Sequence, residues 1–502
     1  MTRRARLGGA ALAAALAAAL AATAPAWAAD PTPRVAVTHH AGQFNGQAIA
    51  YTATVEEHFL HDAKGAPTAS VITIAYVRDG VADAAKRPVL FCFNGGPGAS
   101  SSPLHTQALG PRLRDEGQLA ARNPTGFHDN PYSPLDAVDL VFIDPVGTGF
   151  SRPLPGVDGR PYYSVTGDAL EVKGIIADWL KANHREASPR FMLGESYGTN
   201  RAAAIVKNGK DLPFDGVMLV ALAAATPGRE MPYVSSLPTM AAGAWYHQKI
   251  DRRGRSVEQV FNEALNFART DYVTALIEGG SLPAADKHRI AAKMSALIGL
   301  PVDFIEAHNL RISKNDWMFN LLKDKGLRTG LLDVTVTGPL VEGAEGGIDD
   351  PALGVVPKRP AGAPAGPPPT PAQIGPVPSP AVGAYITGEL KFPTSDTYIG
   401  VNFLVNSQWS YESRGNDFSA RSNDFEALGA ALRANPKMRL FWAGGYYDLT
   451  TPAYGAHYTL DQVGVPGGQL DANYFPGPHG VYAGEVNLKR FDAAVRAFVT
   501  RK

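Results

Sequence analysis

Only one cysteine, Cys92, stands among the 502 residues. No intramolecular disulfide can form, so packing alone must hold the fold. Net charge is lacking as well: Lys+Arg and Asp+Glu number 47 each. That balance gives no footing for nucleic acid or for an anionic membrane as a partner. No Gly-Lys-Ser/Thr follows the Gly-rich stretch Asn94-Gly95-Gly96-Pro97-Gly98, so it does not read as a phosphate cradle. No internal repeat stands out. A long, strongly apolar run is also missing. The nearest approach, Leu7 to Ala22, is mostly alanine and shorter than the roughly 20 apolar residues of a spanning helix. Arg3, Arg4 and Arg6 precede it and Ala26-Trp27-Ala28 follows, a small-x-small site. Residues 1–28 therefore read as a signal peptide cleaved after Ala28, with export to the periplasm or beyond and no stable membrane insertion.

What is present is a sizeable apolar fraction, 45%, arranged in two textures. Ile49, Tyr51, Ala53 and Val55 alternate with less apolar neighbours, and a turn at Asp62-Ala63-Lys64-Gly65 leads into Ser70 to Val77, which predicts a hairpin. Pro88 to Phe93, Asp139 to Asp144, Arg190 to Leu193, Gly216 to Leu222 and Met438 to Trp442 are short continuous apolar runs, as strands buried on both faces require. Helical stretches such as Val165 to Leu180 and Asn487 to Val499 fall between or after them. Strands alternating with helices predict an α/β protein with a mostly parallel central sheet covered on both faces. From Met231 the spacing becomes helical, with a capping pattern at Ser256 and Gln259. The expected organisation is a core of residues 29–230 and 381–502, a helical cap insertion over 231–350, and an extended Pro-rich loop over 351–380.

Gly194-Glu195-Ser196-Tyr197-Gly198 follows the apolar Phe191-Met192-Leu193 and precedes a helical stretch. Strand, Gly-x-Ser-x-Gly, helix is the context of a nucleophile elbow, which presents Ser196 at the end of the sheet. A serine nucleophile needs a base and a carboxylate that orients the base. Five histidines follow Ser196. His247, His288 and His308 fall in the helical insertion, and His457 lies within a helix. His479 lies in Phe475-Pro476-Gly477-Pro478-His479-Gly480, directly after a strand-like segment. Asp448 lies likewise after Leu440-Phe441-Trp442-Ala443. The order Ser196, Asp448, His479 fits an elbow-type triad; an ordinary loop histidine and a helix-capping aspartate are the alternatives. For the oxyanion, the expected donors are the Tyr197 N–H and the Gly96 N–H of the Gly-rich loop.

Phe93-Asn94-Gly95-Gly96-Pro97-Gly98-Ala99-Ser100-Ser101, Phe142 to Ser151 and Gly194-Glu195-Ser196-Tyr197-Gly198 together resemble the serine carboxypeptidases. The resemblance implies an α/β-hydrolase fold, a Ser196–Asp448–His479 triad and an oxyanion hole from Gly96 and Tyr197. It also implies release of single residues from peptides with a free C-terminus, often best in acid, with no metal or organic cofactor. Asn94, Gly95 and Glu195 become the expected substrate-binding residues, with Asn94 and Glu195 meeting the substrate carboxylate. A protonated Glu195 could share its proton with that carboxylate, which favours acid conditions. Three features depart from the family's pattern. Ala108 stands in Ala108-Leu109-Gly110-Pro111 where a second Glu is usual, Gly480 follows His479 where Met is usual, and the family's disulfides are missing. The loss at Ala108 motivates a rival, an esterase or acyltransferase with the same triad. A catalytically silent binding protein is the rival from another class.

Overall fold

The computed structural model describes residues 32–115, 126–224, 228–340, 349–354, 370–412 and 422–501. The segment read as a signal peptide, with its Ala28 site, lies outside them, as do residues 355–369 of the Pro-rich stretch.

Alternating residues build one flank of the sheet. β1 (Val35–Phe44), β2 (Gln47–His61) and β3 (Pro67–Arg78) form an antiparallel meander. In β2, Ile49, Tyr51, Ala53 and Val55 are buried while their neighbours stay partly exposed, as one covered face requires. Asp62 Oδ1 accepts the Lys64 and Ala66 N–H groups at 2.8 and 2.9 Å, which fixes the β2–β3 turn. The sequence reading found this hairpin and missed β1.

The continuous apolar runs become the parallel centre: β4 (Val89–Phe93), β5 (Asp139–Asp144), β6 (Arg190–Glu195), β7 (Gly216–Val220), β8 (Arg439–Gly445) and β9 (Leu470–Phe475). The order across the sheet is β1-β2-β3-β5-β4-β6-β7-β8-β9, with the two-residue strand Arg152–Pro153 beside β3. Every pairing from β5 to β9 is parallel. Side chains of β4 alternate between two cores. Val89, Phe91 and Phe93 meet α1 (Val165–Ala182) and α2 (Tyr197–Asn208) on one face. Leu90 and Cys92 share the other core with Leu488, Phe491, Val495 and Phe498 of the C-terminal helix Glu485–Thr500. A mostly parallel sheet with helices on both faces, in this order, is the α/β-hydrolase fold.

Between β7 and β8 the chain forms α3 (Met231–Tyr246), α4 (Val257–Phe267), α5 (Ala284–Ile298) and α6 (Lys314–Asn320). Ser256 and Gln259 form a reciprocal capping box at the start of α4. Trp317 of α6 is buried and donates its indole N–H to Ile298 O at 2.9 Å. Val234, Leu237 and Met240 join the core that covers α1 and α2, so these helices extend the main core. The short strands Leu327–Thr329 and Thr337–Pro339 pair antiparallel at their end.

One expectation needs correction. Composition predicts an extended, weakly ordered loop with no core of its own over residues 351–380, yet the described part carries local structure. Thr370 and Gln373 cap the turn Pro371–Ile374 reciprocally, and Pro376–Pro378 pairs with Ile399–Asn402. Proline is tolerated there because the pair is short and edge-like, where a missing N–H costs no central ladder bond.

Candidate active site

Asn94, Gly95, Gly96, Glu195, Ser196, Tyr197, Asp448 and His479 all lie at the carboxyl ends of the parallel strands, the edge where open α/β sheets carry their sites. Ser196 follows the last residue of β6 and its N–H donates to Val220 O of β7 at 2.9 Å. Its φ of 59° and ψ of −128° place a non-glycine residue in a sparsely populated region. The strain is enforced by close packing. A Cβ on Gly194 would run into the Gly198 carbonyl, so β6 can turn into α2 this tightly only with glycine there. Tyr197 is the first residue of α2, and N–H groups of a first turn have no intrahelical acceptor.

Asp448 and His479 come together. His479 Nδ1 lies 2.8 Å from Asp448 Oδ2. The Thr450 and Thr451 N–H groups each donate to Asp448 Oδ1 at 2.9 Å, and the Thr451 hydroxyl donates to Oδ2. Asp448 is fully buried. It does not cap the following helix, Ala453–Gln462, whose N-cap is Pro452. Burial alone would raise the Asp448 pKa, but the His479 charge and hydrogen bond, with Thr451, outweigh it and hold the carboxyl below its ordinary value. Burial likewise works against the His479 imidazolium. The Asp448 charge and hydrogen bond, with the Glu195 and Asp350 charges, reverse that and raise the imidazole above its ordinary value. The other histidines are used elsewhere: His247 bonds Val334 O, His457 bonds the Tyr474 hydroxyl, and His288 and His308 meet Glu306 and Phe304 O. Among the described residues, no hydrogen bond joins Ser196 Oγ to His479. A general base often closes on its partner only around the substrate.

The Gly-rich loop after β4 packs directly on the elbow. A Cβ on Gly95 would collide with the Tyr197 and Gly198 amide nitrogens. Gly96 has φ 97°, and the Gly96–Pro97 peptide is cis. Beneath the loop, Arg201 of α2 donates from Nη1 to Asn94 O at 2.6 Å and from Nε to Asp168 Oδ2 at 2.8 Å. Both charged side chains are about 1% exposed, and the guanidinium lies over the Phe93 and Tyr197 rings. Asn94 Oδ1 accepts the Leu104 N–H at 3.2 Å. Helix and loop are thus tied by a hydrogen bond from a buried, ion-paired guanidinium as well as by shape.

Glu195 is buried beside this arrangement and accepts the Tyr482 hydroxyl at Oε2, 2.9 Å away. Burial pushes its pKa up to about 7, against the His479 charge and the Tyr482 and Asn94 hydrogen bonds, which favour the ionised form. Glu195, His479, Gly480 and Tyr482 line a cleft of about 760 Å³, walled further by Gln107, Arg114, Leu332 and Glu485. No cluster of three or more His, Cys, Asp or Glu side chains placed to hold a metal occurs among the described residues.

The sequence profile of one family, described as serine carboxypeptidase, matches residues 76–210, the stretch that carries Asn94, Gly95, Gly96, Glu195, Ser196 and Tyr197. Over that stretch the chain is similar to the serine carboxypeptidases. Serine carboxypeptidase-like 21 of Arabidopsis thaliana is 30% identical over 131 residues, 25% of this chain and 26% of that protein. Serine carboxypeptidase-like 20 of the same plant is 32% identical over 117 residues, 22% of each chain. The matches thus span about a quarter of these relatives' length. A prohormone-processing carboxypeptidase from Saccharomyces cerevisiae superposes with a TM-score of 0.50, at 12% identity, over 93% of this chain and 90% of that one, a likeness of fold.

The departures from the serine carboxypeptidase pattern have structural counterparts. Ala108 is fully buried in the turn Leu104–Leu109, and its carbonyl accepts the Asn130 amide at 2.6 Å. It brings no polar side chain to the cleft. At Gly480 the Tyr482 ring fills the space, with a built Cβ 3.4 Å from it. That placement carries the Tyr482 hydroxyl to Glu195. Sequence reasoning missed Tyr482, whose only signal was the unusual Gly480 two residues before it. It also missed Arg201 and Asp168, which look like ordinary helix polar residues until their burial is known.

Proposed function

We propose that this site is that of a serine-type carboxypeptidase acting on peptides with a free C-terminus. The observation that carries the reading is the Asp448–His479 pair at 2.8 Å, set at the same sheet edge as the strained Ser196 and opening on the cleft that Glu195 lines. In this reading His479 Nε2 takes the Ser196 proton as Oγ adds to the scissile carbonyl, and Asp448 fixes the tautomer and balances the imidazolium. The Gly96 and Tyr197 N–H groups receive the oxyanion. The C–N bond then breaks, the leaving amine takes its proton from His479, and water releases the acyl group from Ser196 by the same steps in reverse order. Asn94, Gly95 and protonated Glu195 receive the terminal carboxylate. The test is a comparison of a blocked dipeptide with its C-terminal amide at pH 6, together with mass spectrometry of peptide products. The expected result is loss of one C-terminal residue at a time and at least a tenfold preference for the free carboxylate. Equal rates on both substrates would refute carboxylate recognition, and a Ser196→Ala variant with undiminished activity would refute the nucleophile.

A second reading, esterase or acyltransferase, is favoured by one observation: Ala108, buried in its turn, puts no carboxyl where the family's second Glu is usual. It predicts that simple esters exceed free-carboxylate peptides in kcat/KM.

A further inference from the structure

The dipeptide Leu331–Leu332 has all four of its backbone polar groups committed, and the commitments divide in two. Its carbonyls go to the loops of the proposed acid and base. Leu331 O accepts the Leu449 N–H at 2.9 Å and the Thr450 N–H at 3.1 Å, directly after Asp448. Leu332 O accepts the N–H of His479 itself at 2.8 Å. Its N–H groups both go to one side chain. Asp350 Oδ1 accepts from Leu331 at 3.1 Å and Oδ2 from Leu332 at 2.8 Å, while Ala352 N–H adds a third bond at 3.0 Å. Val334 N–H donates onward to Tyr447 O at 3.0 Å. From α6, Lys314 Nζ donates to Thr450 O at 2.8 Å, on the same loop. Asp350 is 3% exposed. Burying a carboxylate is costly unless its lone pairs are taken, and here three backbone donors take them.

We propose that Asp350 is a positioning residue for the Asp448–His479 pair: it holds the Leu331–Leu332 peptides, whose carbonyls tie the two loops together. This rests on the reading of that pair as acid and base. An uncharged acceptor would satisfy the same donors, so the charge itself needs a reason. Asp350 is one of three carboxyl groups facing His479, with Asp448 and Glu195, and its charge helps keep the imidazolium stable during proton transfer. Burial raises the Asp350 pKa above its ordinary value, and the three N–H groups and the Arg328 guanidinium facing it work the other way, toward the charged form. Arg328 is itself paired with Asp349 at 2.9 Å.

Two variants of the full chain, Asp350→Asn and Asp350→Ala, test this. Asn keeps the volume and one acceptor but removes the charge. His479 then loses one of the anions that raise it, so the rising acid limb of kcat/KM moves to lower pH. The His479 ring titration, followed by NMR on histidine-labelled protein, moves the same way. Ala removes the brace, and kcat falls about 10²-fold, the cost of misplacing reacting groups by about 1 Å, with KM little changed. Variants that lose only thermal stability, keeping kcat, acid limb and His479 titration, would make Asp350 merely structural and overturn the proposal. The NMR arm needs no turnover. If the wild-type chain cleaves neither substrate, the proposed function fails, while an unshifted His479 titration in Asp350→Asn separately overturns this inference.

Discussion

Glu195 and His479 place opposite demands on pH. Recognition of a carboxylate by Glu195 needs its proton, held up to about 7 by burial. Attack by Ser196 needs His479 without one. Hydrolysis of a free-carboxylate peptide should therefore decline as pH climbs past about 7, while hydrolysis of the corresponding amide should not. Glu195→Gln should abolish that decline, and Tyr482→Phe should move it to higher pH, because the Tyr482 hydrogen bond favours ionised Glu195. pH–rate profiles on both substrates check this; a decline of the amide rate identical to that of the acid would contradict it. The same group affects stability. Its folded-state pKa lies above the ordinary 4.5, so the protonated form is the one the fold favours. The wild-type fold is then unpenalised below about 4.5 and loses stability as pH rises to about 7, by on the order of 3 kcal/mol at most. Glu195→Gln should melt higher than wild type at pH 8, with the gap closing near pH 4.

At the scale of elements, the elbow and the Gly-rich loop act as one unit. The β6–α2 turn sets Ser196, the loop after β4 lies against its amides, and Arg201 fixes the loop from below. Gly95→Ala drives a Cβ into the Tyr197 and Gly198 nitrogens, so the loop must withdraw from the position proposed for the oxyanion. The expected loss in kcat is about 10²–10³-fold, the usual cost of one oxyanion donor, with secondary structure by circular dichroism retained. An unchanged kcat would mean the loop supplies no donor. This unit was legible in the sequence because its signals are local: apolar runs give strands, and glycine patterns give the turns after them. Asp448 and His479 were legible for the same reason, each following a run that ends in a loop. Asp350, Leu331 and Leu332 were not. Asp350 meets them from 19 and 18 residues away, and its partners are backbone groups, which leave no mark in residue identity. Tyr482 reaches Glu195 across 287 residues. The Pro-rich stretch misled because composition speaks for the average residue, while Thr370 and Gln373 supply a local cap.

At the scale of the whole molecule, one sheet serves two cores, and helices between β7 and β8 extend one of them. No described helix is long and apolar enough to cross a membrane. With a single cysteine there is no crosslink to slow unfolding, so a reducing agent should leave the melting temperature unchanged. Cys92 itself sits next to the last residue of β4, a strand between β5 and β6, with no exposed surface and its thiol pushed well above the ordinary range by burial. A disulfide reagent cannot reach it unless the core between the sheet and the C-terminal helix opens. The lone thiol is therefore a built-in clock. Where the sheet recloses faster than the reagent reacts, the labelling rate reads the equilibrium population of the open state; where it recloses more slowly, it reads the opening rate. Labelling should accelerate with urea in step with the loss of circular dichroism, and fast labelling without urea would show that this core opens well before the rest.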